Sequence, residues 1–225
     1  MIKIIYEDRD LLAVEKPVGM ESQSSRSFEP DMVSEIKKYL STKLSPSLST
    51  GTEPYVGVIH RLDKPVSGVM VYAKTRKAAD SLSRQVQDGR MKKIYRAVVC
   101  GKPVDNVGNY VDYLVKDGKN NSSRVVDKTV SGSKRAELNY RVLGVDESGE
   151  VLSLLEIELL TGRHHQIRAQ LSAHGTPIWG DNKYNPLCKG GFPALSAVSL
   201  AFSHPVTGKP LKFTMEPEGE IFKRF

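Results

Sequence analysis

The chain has 225 residues, a length that suits one domain with a substantial apolar core. Lysine and arginine number 33 against 26 acidic residues, so the formal charge is +7 and the surface field favours an anionic partner, with nucleic acid the first candidate. Cys100 and Cys188 form no C-x-x-C pair, which argues against a zinc site or a disulfide framework. Charges scattered through the first residues exclude a signal peptide or membrane span there, so we expect a cytoplasmic protein without membrane association.

The first third of the chain predicts two strands, a helix and a loop. The runs "IKIIYED" and "LLAVEKPVGM" indicate a strand hairpin. In "FEPDMVSEIKKYLSTKL" the apolar residues recur at helical spacing, and Pro30 suits the first turn of that helix. The residues from Ser41 to Glu53 are rich in Ser and Thr without an apolar period, which predicts a mobile loop.

The middle of the chain begins with two valine-rich runs, "YVGVIH" and "GVMVYAKT", which predict two strands with Asp63 in the loop between them. Thr75 is the predicted N-cap of a helix that ends near Gly89, with Ala79, Leu82 and Val86 on its inner face. The segment "KKIYRAVVCGK" then predicts a strand with Tyr95 near its start.

The last part of the chain is dominated by strands. Residues 106–134 are polar and predict at most a pair of irregular strands, whereas "AELNYRVLGV" and "VLSLLEIELL" predict a regular hairpin. Thr161 is the predicted cap of a helix, "GRHHQIRAQLSAHG", that stops at Gly175, and two more strands follow. Many strands with about three helices indicate an α+β fold with a largely antiparallel sheet.

Several chemistries are disfavoured by the motifs. Neither G-x-x-x-x-G-K-[ST] nor G-x-G-x-x-G occurs, so we expect no nucleotide cofactor. Ser67 lies outside a G-x-S-x-G elbow, which disfavours a serine hydrolase. His164, His165 and His174 lack the H-E-x-x-H spacing, and neighbours on a helix point about 100° apart, so hydrogen-bonded or nucleic-acid-facing histidines are favoured over a metal site.

Two local patterns remain as candidates for function. Arg61 and Lys64 flank Asp63 and favour its ionised form, which suits a nucleophile, although a turn aspartate with local hydrogen bonds is the simpler alternative. On the predicted helix His164 and Arg168 share a face, which indicates either a directed cation or merely a solvated basic surface.

Four ordered segments resemble the RluA family of pseudouridine synthases. "HRLDKPVSG" at residues 60–68 resembles the catalytic-aspartate motif, and "KKIYRAVVCG" resembles the segment that supplies an active-site tyrosine. "LLTGRHHQIRAQL" with "GTPIWGDNKY" resembles the third motif, and "YEDRDLLAVEKPVGM" matches the first strand pair. This chain has Val66 and His164 where the family usually has Thr or Ser, and Ser196 within the late L-H-A motif.

The resemblance implies a single pseudouridine synthase catalytic domain over residues 1–225, with an active-site cleft across the sheet and no N-terminal RNA-binding module. By the same resemblance Asp63 is the nucleophile, Tyr95 orients the target base and Arg168 pairs with the aspartate, while Arg61 enters the space that the target nucleotide leaves. The motifs imply a substrate-binding set consisting of Arg61, His60, Leu62, Lys64, Arg163, His165, Gln166 and Ile167.

The resulting expectation is a monomeric isomerase that acts on uridine in ribosomal or transfer RNA without a cofactor or metal. One carboxylate with an arginine suits such an isomerase better than a glycosidase, which uses two carboxylates. A catalytically idle RNA-binding or ribosome-assembly factor on the same fold is the alternative, and a nuclease or nucleoside hydrolase lacks the metal ligands or the carboxylate pair.

Overall fold

Eleven β-strands and three α-helices occur within residues 2–24, 29–43, 53–188 and 190–225, which the computed structural model describes. The strands are β1 (Lys3–Glu7), β2 (Leu11–Lys16), β3 (Gly57–Val58), β4 (Ser67–Ala73), β5 (Lys92–Cys100), β6 (Val107–Asp117), β7 (Ser122–Val126), β8 (Lys134–Asp146), β9 (Leu152–Leu159), β10 (Leu195–Ser203) and β11 (Pro210–Thr214). The helices are α1 (Met32–Lys43), α2 (Arg76–Gln87) and α3 (Gln166–Ala173), and a 3-10 helix spans Glu220–Arg224. None of these helices is long and apolar enough to cross a membrane. The predicted α+β class is confirmed.

The chain divides into two compact units. The first unit contains Met1–Met91 and Ser199–Met215, and the second contains Lys92–Val198 and Glu216–Phe225. Strand β10 therefore begins in the second unit and ends in the first. Most predicted strands fall at their expected places, because apolar runs of four to eight residues bounded by turn residues are typical of strands, but the run "YVGVIH" forms only the two-residue β3.

In the first unit β1, β2 and β4 are antiparallel neighbours, and β3 also pairs with β4. Every residue of β2 and β4 is buried, which explains their nearly continuous apolar sequence. Helix α2 packs on this core and begins where predicted, since the Thr75 hydroxyl accepts a hydrogen bond from the Ala78 amide at 3.2 Å. Its fully buried residues are Ala78, Leu82 and Gln85, while the predicted Ala79 and Val86 pack beside them half-buried.

Helix α1 begins later than the sequence indicated. Pro30 lies before the helix, and Asp31 caps it by accepting a hydrogen bond from the Ser34 amide at 2.7 Å. A side-chain acceptor at this position satisfies an amide that the first turn otherwise leaves unbonded. The helix continues to Lys43 through the start of the predicted loop, and residues 44–52 of that loop lie outside the described residues.

In the second unit the strand order is β5-β9-β8-β6-β7, and each neighbouring pair is antiparallel. The β8–β9 hairpin confirms its prediction. Strands β6 and β7 correct the expectation of irregular structure, because they form a regular hairpin of eleven and five residues. Strand β6 carries six Val, Tyr and Leu residues among its eleven, but the run that leads into β7, "KDGKNNSSR", is polar, so the pairing of the two strands was not evident from the sequence.

Helix α3 also corrects the sequence-based prediction. It begins at Gln166 rather than directly after Thr161, and residue 165 at its start has a left-handed backbone with φ of 51°. The Thr161 hydroxyl donates to the Gln166 side-chain oxygen at 2.7 Å instead of capping a helix. His164 therefore precedes the helix and does not share a helical face with Arg168. The predicted stop at Gly175, with φ of +79°, is confirmed.

Candidate active site

Asp63 lies in the loop between β3 and β4, and several hydrogen bonds hold this loop. The Asp63 carbonyl accepts from the Val66 amide at 3.0 Å, which closes a turn. The Leu62 amide donates to the Ser22 hydroxyl at 3.0 Å, and that hydroxyl donates back to the Leu62 carbonyl at 2.9 Å. On the other side, the Val71 amide of β4 donates to Nε2 of His60 at 3.2 Å. Leu62, the residue before the predicted nucleophile, is thus buried, and its amide and its carbonyl are both hydrogen-bonded.

A lysine that the sequence analysis did not single out lies beneath this loop. The Lys16 ammonium, at the end of β2, is fully buried and donates to the carbonyls of Pro17, Met20 and Lys64 at 2.9, 2.5 and 3.2 Å. Burial lowers the pKa of Lys16 to about 8, while the nearby carboxylates of Asp63 and Glu21 oppose that shift. Lys16 therefore both anchors the loop and places a cation near Asp63.

The two flanking cations predicted beside Asp63 behave differently from Lys16. Lys64 is exposed and its ammonium contacts Glu29 at 2.7 Å, so its described ion pair is not with Asp63. Glu29 raises the pKa of Lys64 through this hydrogen bond. Arg61 is also exposed to solvent. The sequence pattern thus identified the cations on the surface and missed the one underneath.

The second unit holds the other two predicted catalytic residues. Tyr95 lies on β5, opposite Ile157 of β9, and is 6% exposed. Arg168 lies in the first turn of α3 and is 5% exposed, with its guanidinium centre 5.0 Å from the ring centroid of Tyr184. Both side chains are therefore held by packing rather than extended into solvent.

Arg168 forms a bidentate ion pair that sequence reasoning missed. Its Nε and Nη2 atoms each donate to a carboxylate oxygen of Asp181 at 2.7 Å, and Asp181 is fully buried. The Asp181 carboxylate also accepts from the amides of Lys183 and Tyr184. Two parallel charge-assisted hydrogen bonds fix the plane of the guanidinium as well as its position. Asp181 lies in "GDNKY", but only the folded chain shows that its partner is thirteen residues earlier.

The remaining predicted binding residues differ in exposure. Arg163 is exposed, and its Nε donates to the Arg135 carbonyl at 2.9 Å. Gln166 and Ile167 are buried, and Gln166 joins Thr161, Arg163 and the Glu137 carbonyl through its side-chain amide. His165 is 8% exposed and bonds to Tyr184. The hydrogen bonds of Gln166 and His165 thus hold the start of α3, whereas Arg163 is exposed to solvent.

One cluster outside these loops has donor atoms close enough for a metal ion, namely Asp8, Asp10 and His204. The side chains of Asp8 and His204 already have hydrogen-bond partners: Asp8 accepts from the amides of Asp10 and Leu11, from Tyr6 and from Nε2 of His204. Nδ1 of His204 accepts from two backbone amides. These contacts stabilise two turns, and they occupy the Asp8 and His204 atoms that would have to bind a metal.

Comparison with known proteins gives a consistent result. Residues 10–173 match the profile of the RNA pseudouridylate synthase family. A ribosomal large subunit pseudouridine synthase D from Zymomonas mobilis is 31% identical over 96% of this chain and 69% of its own length. A dual-specificity RNA pseudouridine synthase RluA from Yersinia pestis is 31% identical over 96% of this chain and 98% of its own length. The solved structure of human RNA pseudouridylate synthase domain containing 1 superimposes with a TM-score of 0.77 at 20% identity, covering 96% of this chain and 83% of that one.

Proposed function

Because the chain belongs to the RNA pseudouridylate synthase family and is thus an RNA-uridine isomerase, we propose that Asp63 is the nucleophile of its reaction. The observation that carries this proposal is the position of Asp63 in a loop fastened from both sides above the buried Lys16. A nucleophilic carboxylate must be held in a fixed position, and the hydrogen bonds that fasten this loop support that role for Asp63. The closest chemical alternative, a glycosidase, would need a second carboxylate beside Asp63.

The reaction breaks the bond between N1 of uracil and C1′ of ribose, turns the base and joins C5 to C1′. The hydrogen on C5 leaves as a proton and N1 gains one, so the product is an isomer. The carboxylate is required whether Asp63 adds to the base, adds to the sugar or works through a glycal. Tyr95 and Arg168 complete the proposed machinery, with Tyr95 orienting the base and Arg168 pairing with Asp63. Exclusion of water by a closed site would protect the intermediate from hydrolysis.

The target nucleotide must leave its stack before this chemistry can begin, at a cost of a few kcal/mol. We propose that Arg61 enters the vacated space and that exposed cations hold the RNA backbone. The basic segment, which we define as Asp117–Arg135, carries four exposed cations that form no ion pair within the described parts of the chain, namely Lys119, Arg124, Lys128 and Lys134. Such side chains suit phosphate contacts, which position RNA without reading its sequence.

Replacing all four of these cations by glutamine should raise KM for RNA about tenfold at about 0.1 M salt and leave kcat nearly unchanged. The physical reason is that fewer counterions are released on binding, so the dependence of affinity on salt should become shallower. Filter binding across a salt series, together with initial rates, measures both effects. A matched control with the same charge change replaces Lys38, Lys77, Lys209 and Lys212, which are exposed in the first unit, and it should retain wild-type KM. An equal rise of KM in both variants would show that the net charge of the protein, and not the basic segment, determines its affinity for RNA.

The buried Lys16 gives a pH dependence of known sign. Its pKa is about 8 in the folded protein against an ordinary value of 10.5, so between these values the unfolded chain binds a proton that the folded protein has released. This group alone therefore makes the free energy of unfolding rise with pH in that range. Over the same range the cation near Asp63 is lost, so we expect kcat/KM to fall above about pH 8.

Initial rates from about pH 6 to about pH 10 test the role of Lys16. Lys16→Arg keeps its charge throughout this range and should lack the alkaline fall that the wild type shows, while Lys16→Met should be slow at every pH. Because all variants act on the same RNA, titration of the substrate cancels in the comparison. An identical alkaline limb in the arginine variant would assign the limb to another group.

We further propose that the enzyme acts in the cytoplasm, as a monomer, on ribosomal or transfer RNA, and that residues 1–225 form one catalytic domain. A relative named for the ribosomal large subunit supports ribosomal RNA as a substrate, and the family match crosses from the first unit into the second. Carbodiimide mapping of pseudouridine in total RNA with and without the gene would identify the substrate. A site lost on deletion and restored by the wild-type gene supports the proposal, whereas unchanged RNA, with no activity of the purified protein on ribosomal or transfer RNA, contradicts it.

A further inference from the structure

His164 joins the β6–β7 hairpin to the segment that leads into α3. Its Nδ1 atom lies 2.9 Å from the Ser123 hydroxyl, and its Nε2 atom lies 3.2 Å from Oδ1 of Asn121. The Asn121 oxygen can only accept, so Nε2 donates to it, and a neutral ring then accepts from the serine hydroxyl through Nδ1. A neutral imidazole offers one donor and one acceptor, and here both are used on the same hairpin. One side chain thus fastens two positions of the second half of that hairpin.

A second set of contacts extends from the hairpin to Arg168. The Tyr184 hydroxyl accepts from the Ser123 amide at 2.7 Å and bonds Nδ1 of His165 at 3.0 Å. The rings of His164 and His165 stack with centroids 3.8 Å apart, and the Tyr184 ring lies beside the Arg168 guanidinium. A continuous series of hydrogen bonds and ring contacts therefore runs from the hairpin to the guanidinium of the proposed catalytic arginine.

Two residues in this series of contacts have an unusual backbone conformation. Among the described non-glycine residues only Asn121 and His165 have positive φ, at 46° and 51°. Such conformations are unfavourable for residues that have a Cβ atom, and they persist where surrounding contacts determine them. At the hairpin end those contacts include the Lys183 ammonium, which donates to the carbonyls of Asn120 and Asn121 at 2.9 and 3.2 Å. The fold therefore maintains this geometry against a local cost.

We propose that His164 is a positioning residue that fixes the β6–β7 hairpin relative to α3, so that the cations of the basic segment keep a constant spacing from Arg168. This inference rests on the proposed function, in which the basic segment holds RNA. A hairpin fixed in advance does not have to be ordered when RNA binds, which removes an entropic cost from association. A threonine or serine at this position has a single hydroxyl on a short side chain, so it cannot reach both Ser123 and Asn121.

The test replaces His164 by threonine and measures kcat and KM separately on an RNA that the wild type modifies. We expect KM to rise about fivefold to tenfold, because two hydrogen bonds are lost, while kcat stays within about twofold because Asp181 and Tyr184 still hold Arg168. Hydrogen exchange should accelerate in peptides covering β6 and β7 and remain unchanged in β2 and β4. His164→Gln, whose amide can both donate and accept, should recover much of the wild-type KM.

A double-mutant cycle with Ser123→Ala shows whether His164 acts through the hairpin. If it does, His164→Thr should raise KM less in the Ser123→Ala background than in the wild type, because only the bond to Asn121 is then left to lose. The inference would be overturned if His164→Thr kept the wild-type KM and the wild-type rate of hydrogen exchange in the hairpin. A fall in kcat with no change in KM would overturn it as well. Hydrogen exchange needs no RNA, so a lack of pseudouridine formation by the wild type would count against the proposed function, and unaltered exchange against this inference.

Discussion

Asp63→Asn is expected to abolish pseudouridine formation while leaving the fold and most of the affinity for RNA intact. The amide has nearly the shape of the carboxylate but has no charge and is a very poor nucleophile, so the rate should fall by about 10⁴-fold or more. The loop should survive the change, because the bonds that fasten it involve Ser22, Leu62, His60 and the Asp63 backbone. Release of tritium from C5 of labelled uridine in RNA measures turnover directly.

The matched control for this variant is Asp80→Asn, which makes the same chemical change at an exposed position on α2. It should retain wild-type turnover and thermal stability. Turnover by Asp63→Asn at the wild-type rate would exclude a nucleophilic carboxylate at this position. If the wild type is inactive, and the wild type and Asp63→Asn bind RNA with equal affinity, the alternative of a catalytically idle RNA-binding protein describes this chain better.

Asp181→Ala is expected to have the largest effect on stability. The change leaves the Arg168 guanidinium buried without the carboxylate that accepts two of its hydrogen bonds. Breaking a buried ion pair by removing one partner typically costs about 3–5 kcal/mol, which corresponds to a fall in Tm on the order of 10 °C in a chain of this length. Activity at a temperature where the variant is folded should fall about 100-fold, because Arg168 loses its orientation. Calorimetry and initial rates measure the two effects.

Two further variants separate the ion pair from general damage. Glu220→Ala breaks an exposed ion pair with Lys223 and should leave Tm unchanged, since such pairs contribute little. Replacing both members of the buried pair, as Arg168→Met with Asp181→Leu, should recover part of the lost stability and remain inactive. A wild-type Tm in Asp181→Ala would show that Arg168 has another sufficient partner in the fold.

The elements that the sequence predicted well are those whose signal is local. Strands β2 and β4 are buried at every position, so their apolar runs are unmistakable, and Thr75 caps α2 through a bond that spans only three residues. The position of Asp63 in a loop could be predicted from the apolar runs on either side of it. The four motifs of the resemblance are also local, which explains why they indicated the family that the comparisons confirm.

The predictions that failed concern segments whose geometry depends on distant partners. Helix α3 begins at Gln166 because Thr161 and Gln166 bond each other and Glu137 of β8, a strand more than twenty residues earlier. The polar run between β6 and β7 concealed a regular hairpin, because antiparallel pairing supplies backbone hydrogen bonds whatever the exposed side chains are.

For this protein the sequence alone determined the strand-rich α+β class, the family and the candidate nucleophile. Periodicity, capping and short motifs depend only on residues that are close together along the chain. Only the tertiary structure showed which polar and charged side chains are buried and what they contact. Lys16 lies beneath the Asp63 loop, Asp181 pairs with Arg168, and His164 bonds to the β6–β7 hairpin. The physical reason is that a buried charge or a bonded imidazole is stable only with a complementary partner in three dimensions, and the position of that partner along the chain follows no fixed spacing.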